Sequence, residues 1–219
     1  MALPKKHIYF MPGLGASSRI FENLELDSEK YSLHYLEWVL PNDKNENILA
    51  YASRLSENIT EPNPILIGVS FGGIIVQEIA RILNTDKVII ISSVKSPSEL
   101  PKGMQIAKTT GIYKLFPSQY VENLGGFAKE YLGKKVKKRI ELYEKYQNIL
   151  DPLYLNWAFK TILHWQKSYN TLNLYHIHGE ADKIFPVKYI QNYIPIKKGT
   201  HVMILIKAKE ISKILEEII

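Results

Sequence analysis

Cysteine is missing from all 219 residues. Its absence excludes disulfides, thiolate-held metals and a cysteine nucleophile. No apolar run reaches the ~18 residues that a membrane span requires. The opening MALPKKHIYFMPGLG places Lys5 and Lys6 ahead of an apolar stretch too short for a secretion signal. A cytoplasmic protein with no stable membrane insertion is expected. Gly and Pro are modest, at 12 and 11 residues, and charged side chains make up 23%, so no disordered or low-complexity tract is predicted. The net charge of +6 attracts anions. Yet no basic cluster alternates with aromatics and glycine as in nucleic-acid binders, and no nucleic-acid partner is expected. The densest basic run, Lys134–Arg139, holds Val136 at helical spacing from Leu132 and Ile140. It reads as the wet side of an amphipathic helix.

What is present is enough apolar material, 46% of the chain, to bury one domain core. His7–Met11 is a short apolar run stopped by Pro12-Gly13, and predicts a buried strand. A loop with a serine available as a cap leads to a short helix over Arg19–Leu24. Tyr31–Val39 reads as a strand, 46–59 as a helix, Pro64–Val69 as a strand and Gly72–Leu83 as a helix. Lys87–Ile91 is a β-branched run of the kind buried on both faces. This alternation predicts an α/β fold with a mostly parallel sheet. Residues 96–171 lack a convincing strand, and Phe127–Leu150 and Leu153–Lys167 read as helices. Strand pattern returns at Asn173–His178. A helix over 187–193, a strand over Ile194–Lys197 and a terminal helix over Lys207–Ile219 follow. The expected organisation is a core of 1–95 and 172–219, with a helical insertion, a candidate lid, over 96–171. Gly111 and Gly125-Gly126 are hinges of that insertion or plain helix stops.

The most informative window is Gly68-Val69-Ser70-Phe71-Gly72, placed where a strand becomes a helix. A serine hydroxyl is a poor nucleophile without a base beside it and donors for the oxyanion. A sharp strand-to-helix corner lifts the side chain clear of the sheet, aims helix N-terminal N–H groups at it, and demands small residues two positions either side. The bland alternative is a glycine-rich turn with a capping serine. Such a nucleophile predicts an acid and then a histidine downstream. Asp182 follows a strand in His178-Gly179-Glu180-Ala181-Asp182, and His201 lies in a loop ahead of the last helix. Glu180, two residues nearer the strand and with a longer side chain, is the rival acid. Taken singly, Asp182 is also readable as a turn residue and His201 as a surface histidine.

With these pieces assembled, the chain resembles the α/β-hydrolase superfamily, and more narrowly its small lid-bearing esterase and lipase-like members. The resemblance covers the core, about 1–95 and 172–219. It implies a mostly parallel sheet flanked by helices, without the family's first two strands. It implies Ser70 as nucleophile, His201 as base and Asp182 as acid. It also implies an oxyanion hole built from the backbone N–H groups of Phe71 and Leu14, with Gly68 and Gly72 as the elbow glycines. The family's loop is usually His-Gly-x. Here it is Pro12-Gly13-Leu14, which drops a side chain that helps order the loop but keeps the Leu14 donor. The implied activity is cofactor-independent hydrolysis of a small-molecule carboxylic ester or thioester through an acyl-enzyme, with no metal. The alternative is a ligand-binding or acyltransferase member with little hydrolytic turnover. His176 and His178 alternate along one strand face as a candidate metal pair; without a third ligand, structural roles are expected. Structural roles are also expected for His7, His34 and His164. Trp157, Phe159 and Trp165 either line an acyl pocket or pack onto the core, and packing is the favoured reading.

Overall fold

A computed structural model describes residues 4–110, 145–146, 148–149 and 151–219. Among them, the strands are β1 (Lys6–Met11), β2 (Tyr31–Tyr35), β3 (Ile65–Val69), β4 (Lys87–Ile91), β5 (Leu174–Gly179) and β6 (Ile194–Ile196). They form one six-stranded sheet in the order β2-β1-β3-β4-β5-β6, and each neighbouring pair is parallel. The helices are α1 (Ile48–Ser56), α2 (Phe71–Ile79), α3 (Lys102–Thr110), α4 (Pro152–His164), α5 (Met203–Ile206) and α6 (Ala208–Ile218). Parallel strands need crossovers, and those crossovers cover both faces of the sheet. The period-two alternation sorts the strands accordingly. Tyr9, Leu66, Val88 and Ile90 face a layer containing α1, α2 and α4. Ile8, Ile65, Ile67, Ile89 and Ile91 face the layer containing α6.

The order matters for the site. The chain leaves β1 for β2 on one side and then returns to place β3 on the other. The crevice at such a switch point, beyond the C-terminal ends of the strands, is where open α/β sheets bind ligands. The loops after β1 and β3 flank that crevice, and those after β5 and β6 open at the same sheet end.

Several sequence expectations are corrected. The second strand ends at Tyr35, not Val39, because its partner β1 stops at Met11 ahead of Pro12, which has no N–H to extend the ladder. Beyond Leu36 the chain turns inward instead. The predicted helix over 187–193 is only a 3₁₀ turn, Val187–Tyr189. Asn192 lies at φ 46° just before β6, a value no continuing helix adopts. Arg19–Leu24 is likewise a 3₁₀ turn, Ser18–Phe21, and no serine side chain caps it. The helix expected over 46–59 is shorter, because Asn47 caps it by accepting the Leu49 N–H at 2.8 Å. Helix α3 has only a weak signal in sequence, because Gly103 and the paired threonines at its end are poor helix formers. Most of Phe127–Leu150, with Lys134–Arg139, Gly111 and Gly125-Gly126, lies outside the described residues.

Candidate active site

The corner at Ser70 is built by small residues and paid for in strain. Ser70 has φ 52° and ψ −119°, a conformation that costs a non-glycine residue about 1–3 kcal/mol. Its backbone is fixed at both ends. The Ser70 N–H donates to Ile91 O at 2.9 Å, and Ser70 O accepts from Gly73 N–H at 2.9 Å and Ser93 Oγ at 2.7 Å. A Cβ at Gly68 would collide with the Gly72 backbone. One at Gly72 would collide with Pro12 O and Met11 O, and one at Gly73 with Ser93 Oγ. Two glycines in the first turn of α2 cost about 1 kcal/mol each against alanine, so close approach decides their identity, not propensity.

The other two side chains arrive on loops after β5 and β6. Backbone bonds clasp these loops together: Glu180 N–H to Ile196 O at 3.1 Å and Ala181 N–H to Gly199 O at 2.8 Å. Gly179 and Gly199 touch backbone to backbone, leaving no space for a Cβ on Gly179. From this clasp Asp182 Oδ2 accepts from His201 Nδ1 at 2.9 Å, and His201 Nε2 lies 2.9 Å from Ser70 Oγ. A carboxylate only accepts, so Nδ1 carries the imidazole proton and Nε2 is left to receive the serine hydroxyl. Asp182 Oδ1 accepts the N–H groups of Ile184 and Phe185 at 2.8 and 2.9 Å. Burial pushes the Asp182 carboxyl up, but the His201 hydrogen bond and charge, with the Phe185 N–H, outweigh it and hold the group below its ordinary range. The aspartate therefore stays ionised behind the ring. Glu180 is exposed and, among the described residues, bonds through its backbone only.

The loop after β1 completes the crevice. Gly13 O accepts from Trp38 Nε1 at 2.8 Å and from Ala16 N–H at 3.0 Å. The Gly15 N–H donates to the Tyr154 hydroxyl at 3.1 Å. The N–H groups of Leu14 and Phe71 have no hydrogen-bond partner among the described residues. Phe71 is the first residue of α2, so its N–H belongs to the positive end of the helix dipole.

No family model matches the sequence, and no curated protein matches it. Solved structures do. A bromoperoxidase from Bacillus anthracis is similar over 98% of this chain and 92% of its own, with TM-score 0.68 and 17% identity. A lipase-esterase related protein from Clostridium acetobutylicum is similar over 98% and 94%, at TM-score 0.64 and 19% identity. A thermophilic esterase from Thermogutta terrifontis is similar over 97% and 88%, at TM-score 0.65 and 13% identity. The chain has the α/β-hydrolase fold. On that fold the described residues form a sheet of six parallel strands.

Within the α/β-hydrolase fold, several residues near the site were not singled out from sequence. Ser93, Gly73, Gly199, Trp38 and Tyr154 all hold site backbone; the signal for Gly73 was its place next to Gly72, and nothing local marked the others. His178 is buried behind Asp182, donating Nε2–H to Phe185 O at 2.8 Å and receiving His176 Nε2–H on Nδ1 at 3.0 Å. Burial pushes both histidines down, His176 to about 2, so the pair stays neutral. Among the described residues no group of three or more His, Cys, Asp or Glu is placed to hold a metal. Trp157 and Trp165 pack onto the core, with indole N–H groups on Glu46 O at 2.9 Å and Glu78 Oε1 at 2.7 Å. Phe159 is half-buried. No helix of the described residues is long and apolar enough to cross a membrane.

Proposed function

We propose that the protein is a cofactor-independent serine hydrolase that cleaves carboxylic esters or thioesters. Ser70 Oγ attacks the substrate carbonyl while its proton passes to His201 Nε2. The C=O π electrons move onto oxygen, and the N–H groups of Phe71 and Leu14 stabilise the oxyanion. Asp182 holds the His201 tautomer and stabilises the imidazolium. Collapse expels the alkoxide or thiolate, which takes the proton from Nε2 and leaves an acyl-Ser70. Water, deprotonated by His201, attacks that acyl group, and a second collapse frees the acid and restores Ser70.

One observation carries the proposal: an unbroken pair of 2.9 Å bonds runs from Ser70 Oγ through His201 to Asp182, with the serine on a strained corner. The choice of ester bonds draws support from the esterase names among the similar structures. Replacing Ser70 by alanine tests it. Turnover of short p-nitrophenyl esters is expected to fall by about 10⁴-fold or more, with thermal unfolding unchanged. Equal turnover in the folded variant contradicts the proposal.

A further inference from the structure

We infer that Trp38 is a positioning residue that sets the oxyanion hole, with Tyr154 supporting it; this rests on the assignment of the Leu14 and Phe71 N–H groups as oxyanion donors. A trans peptide holds its C=O and N–H antiparallel in one rigid plane, and the chain has no cis bond among the described residues. The plane that carries the Leu14 N–H carries Gly13 O at its other edge. Gly13 O is held by Trp38 Nε1 at 2.8 Å, a buried contact, and by Ala16 N–H at 3.0 Å. Fixing that oxygen fixes the direction of the Leu14 N–H.

The next plane is pinned as well, since the Gly15 N–H donates to the hydroxyl of fully buried Tyr154 at 3.1 Å. Trp38 also reaches the other donor. Its ring stacks on Phe71 with centroids 5.1 Å apart and planes 8° from parallel, and Tyr154 packs on the same indole at 5.4 Å. One side chain thus spans both halves of the hole: its N–H orients the plane of Leu14 and its π-face seats the side chain of Phe71. Pro12 supplies no side-chain donor to this loop, and Trp38 supplies one from beyond the end of β2. The role comes from a residue 25 positions away in the chain.

Trp38→Phe keeps an aromatic face on Phe71 and deletes the donor. For p-nitrophenyl butyrate we expect kcat to fall about ten- to a hundredfold with KM changed by less than about twofold, because the lost interaction acts on the developing oxyanion. The Ki of an alkyl trifluoromethyl ketone, which forms an oxyanion on Ser70, is expected to rise by the same factor as kcat/KM falls. A merely structural role lowers the active fraction and leaves Ki alone. Unchanged kcat, or a loss of kcat with unchanged Ki, overturns the inference. If Trp38→Phe does not fold, Tyr154→Phe carries the test, with kcat and Ki moving together by about three- to tenfold; no movement there overturns it. Ser70→Ala run in parallel separates the two levels. If Ser70→Ala matches wild type, the hydrolase reading falls and this one with it. If Ser70→Ala is dead while Trp38→Phe is fully active, only the positioning role falls.

Discussion

The corner after β3 holds Ser70 through glycines two or three residues away, through Ile91 at the end of β4 and through Ser93 just beyond it. The loop after β1 carries the Leu14 N–H proposed as the second oxyanion donor, and its ties reach Trp38 beyond β2, Tyr154 on α4, and the backbone at Tyr146, Asn148 and Ile149. One loop is rigid because its own residues are small and the backbones touch. The other is rigid because distant side chains and a separate segment grip it. Strain is stored in the first, at Ser70; in the second, the positive φ falls on a glycine, Gly15 at 67°. The difference teaches where tolerance lies: the corner has no slack, whereas the loop can follow its partners.

Substitution at the two glycines breaks or sharpens this contrast. The largest effect is expected at Gly72→Ala. Its Cβ would sit 2.5 Å from Met11 O and closer still to Pro12 O, both backbone atoms where β1 ends. We expect a loss of about 3 kcal/mol and no measurable esterase activity, read by chemical denaturation and initial rates. Gly15→Ala should cost less. Its Cβ would meet Ile149 O at 3.0 Å, and the left-handed backbone adds about 1–2 kcal/mol. Because a contact at 3.0 Å asks the neighbour to give by only a few tenths of an ångström, the protein should fold and retain reduced kcat. Equal damage from the two substitutions would remove the distinction between the loops.

The same contrast explains what could be read from the sequence. Strands β1, β3, β4 and β5 were legible because each is an apolar run bounded by turn residues, and the corner was legible because its constraints are local. The chain order of Ser70, Asp182 and His201 pointed to residues that the fold brings within hydrogen-bond reach. Trp38 was swallowed by a strand prediction that ran to Val39, since nothing in Tyr31–Val39 says that β1 ends at Met11. Tyr154 lies inside the helix expected over Leu153–Lys167, and nothing local marks it, because the N–H that its hydroxyl accepts is 139 positions away. The clasp between Gly179 and Gly199 was equally silent: each glycine is ordinary until the other is placed against it. The 3₁₀ turn at Val187–Tyr189 carries a helical pattern in sequence, and the positive φ at Asn192 that stops it is a choice of the tertiary structure, made where the chain must enter β6.

The most direct test of the account is covalent capture of the nucleophile. Incubation of the folded protein with a fluorophosphonate, followed by intact mass and peptide mapping, is expected to give a single adduct on Ser70, formed far more slowly in His201→Ala. Absence of an adduct on the folded wild-type chain, or an adduct on another residue with Ser70 unmodified, would contradict it.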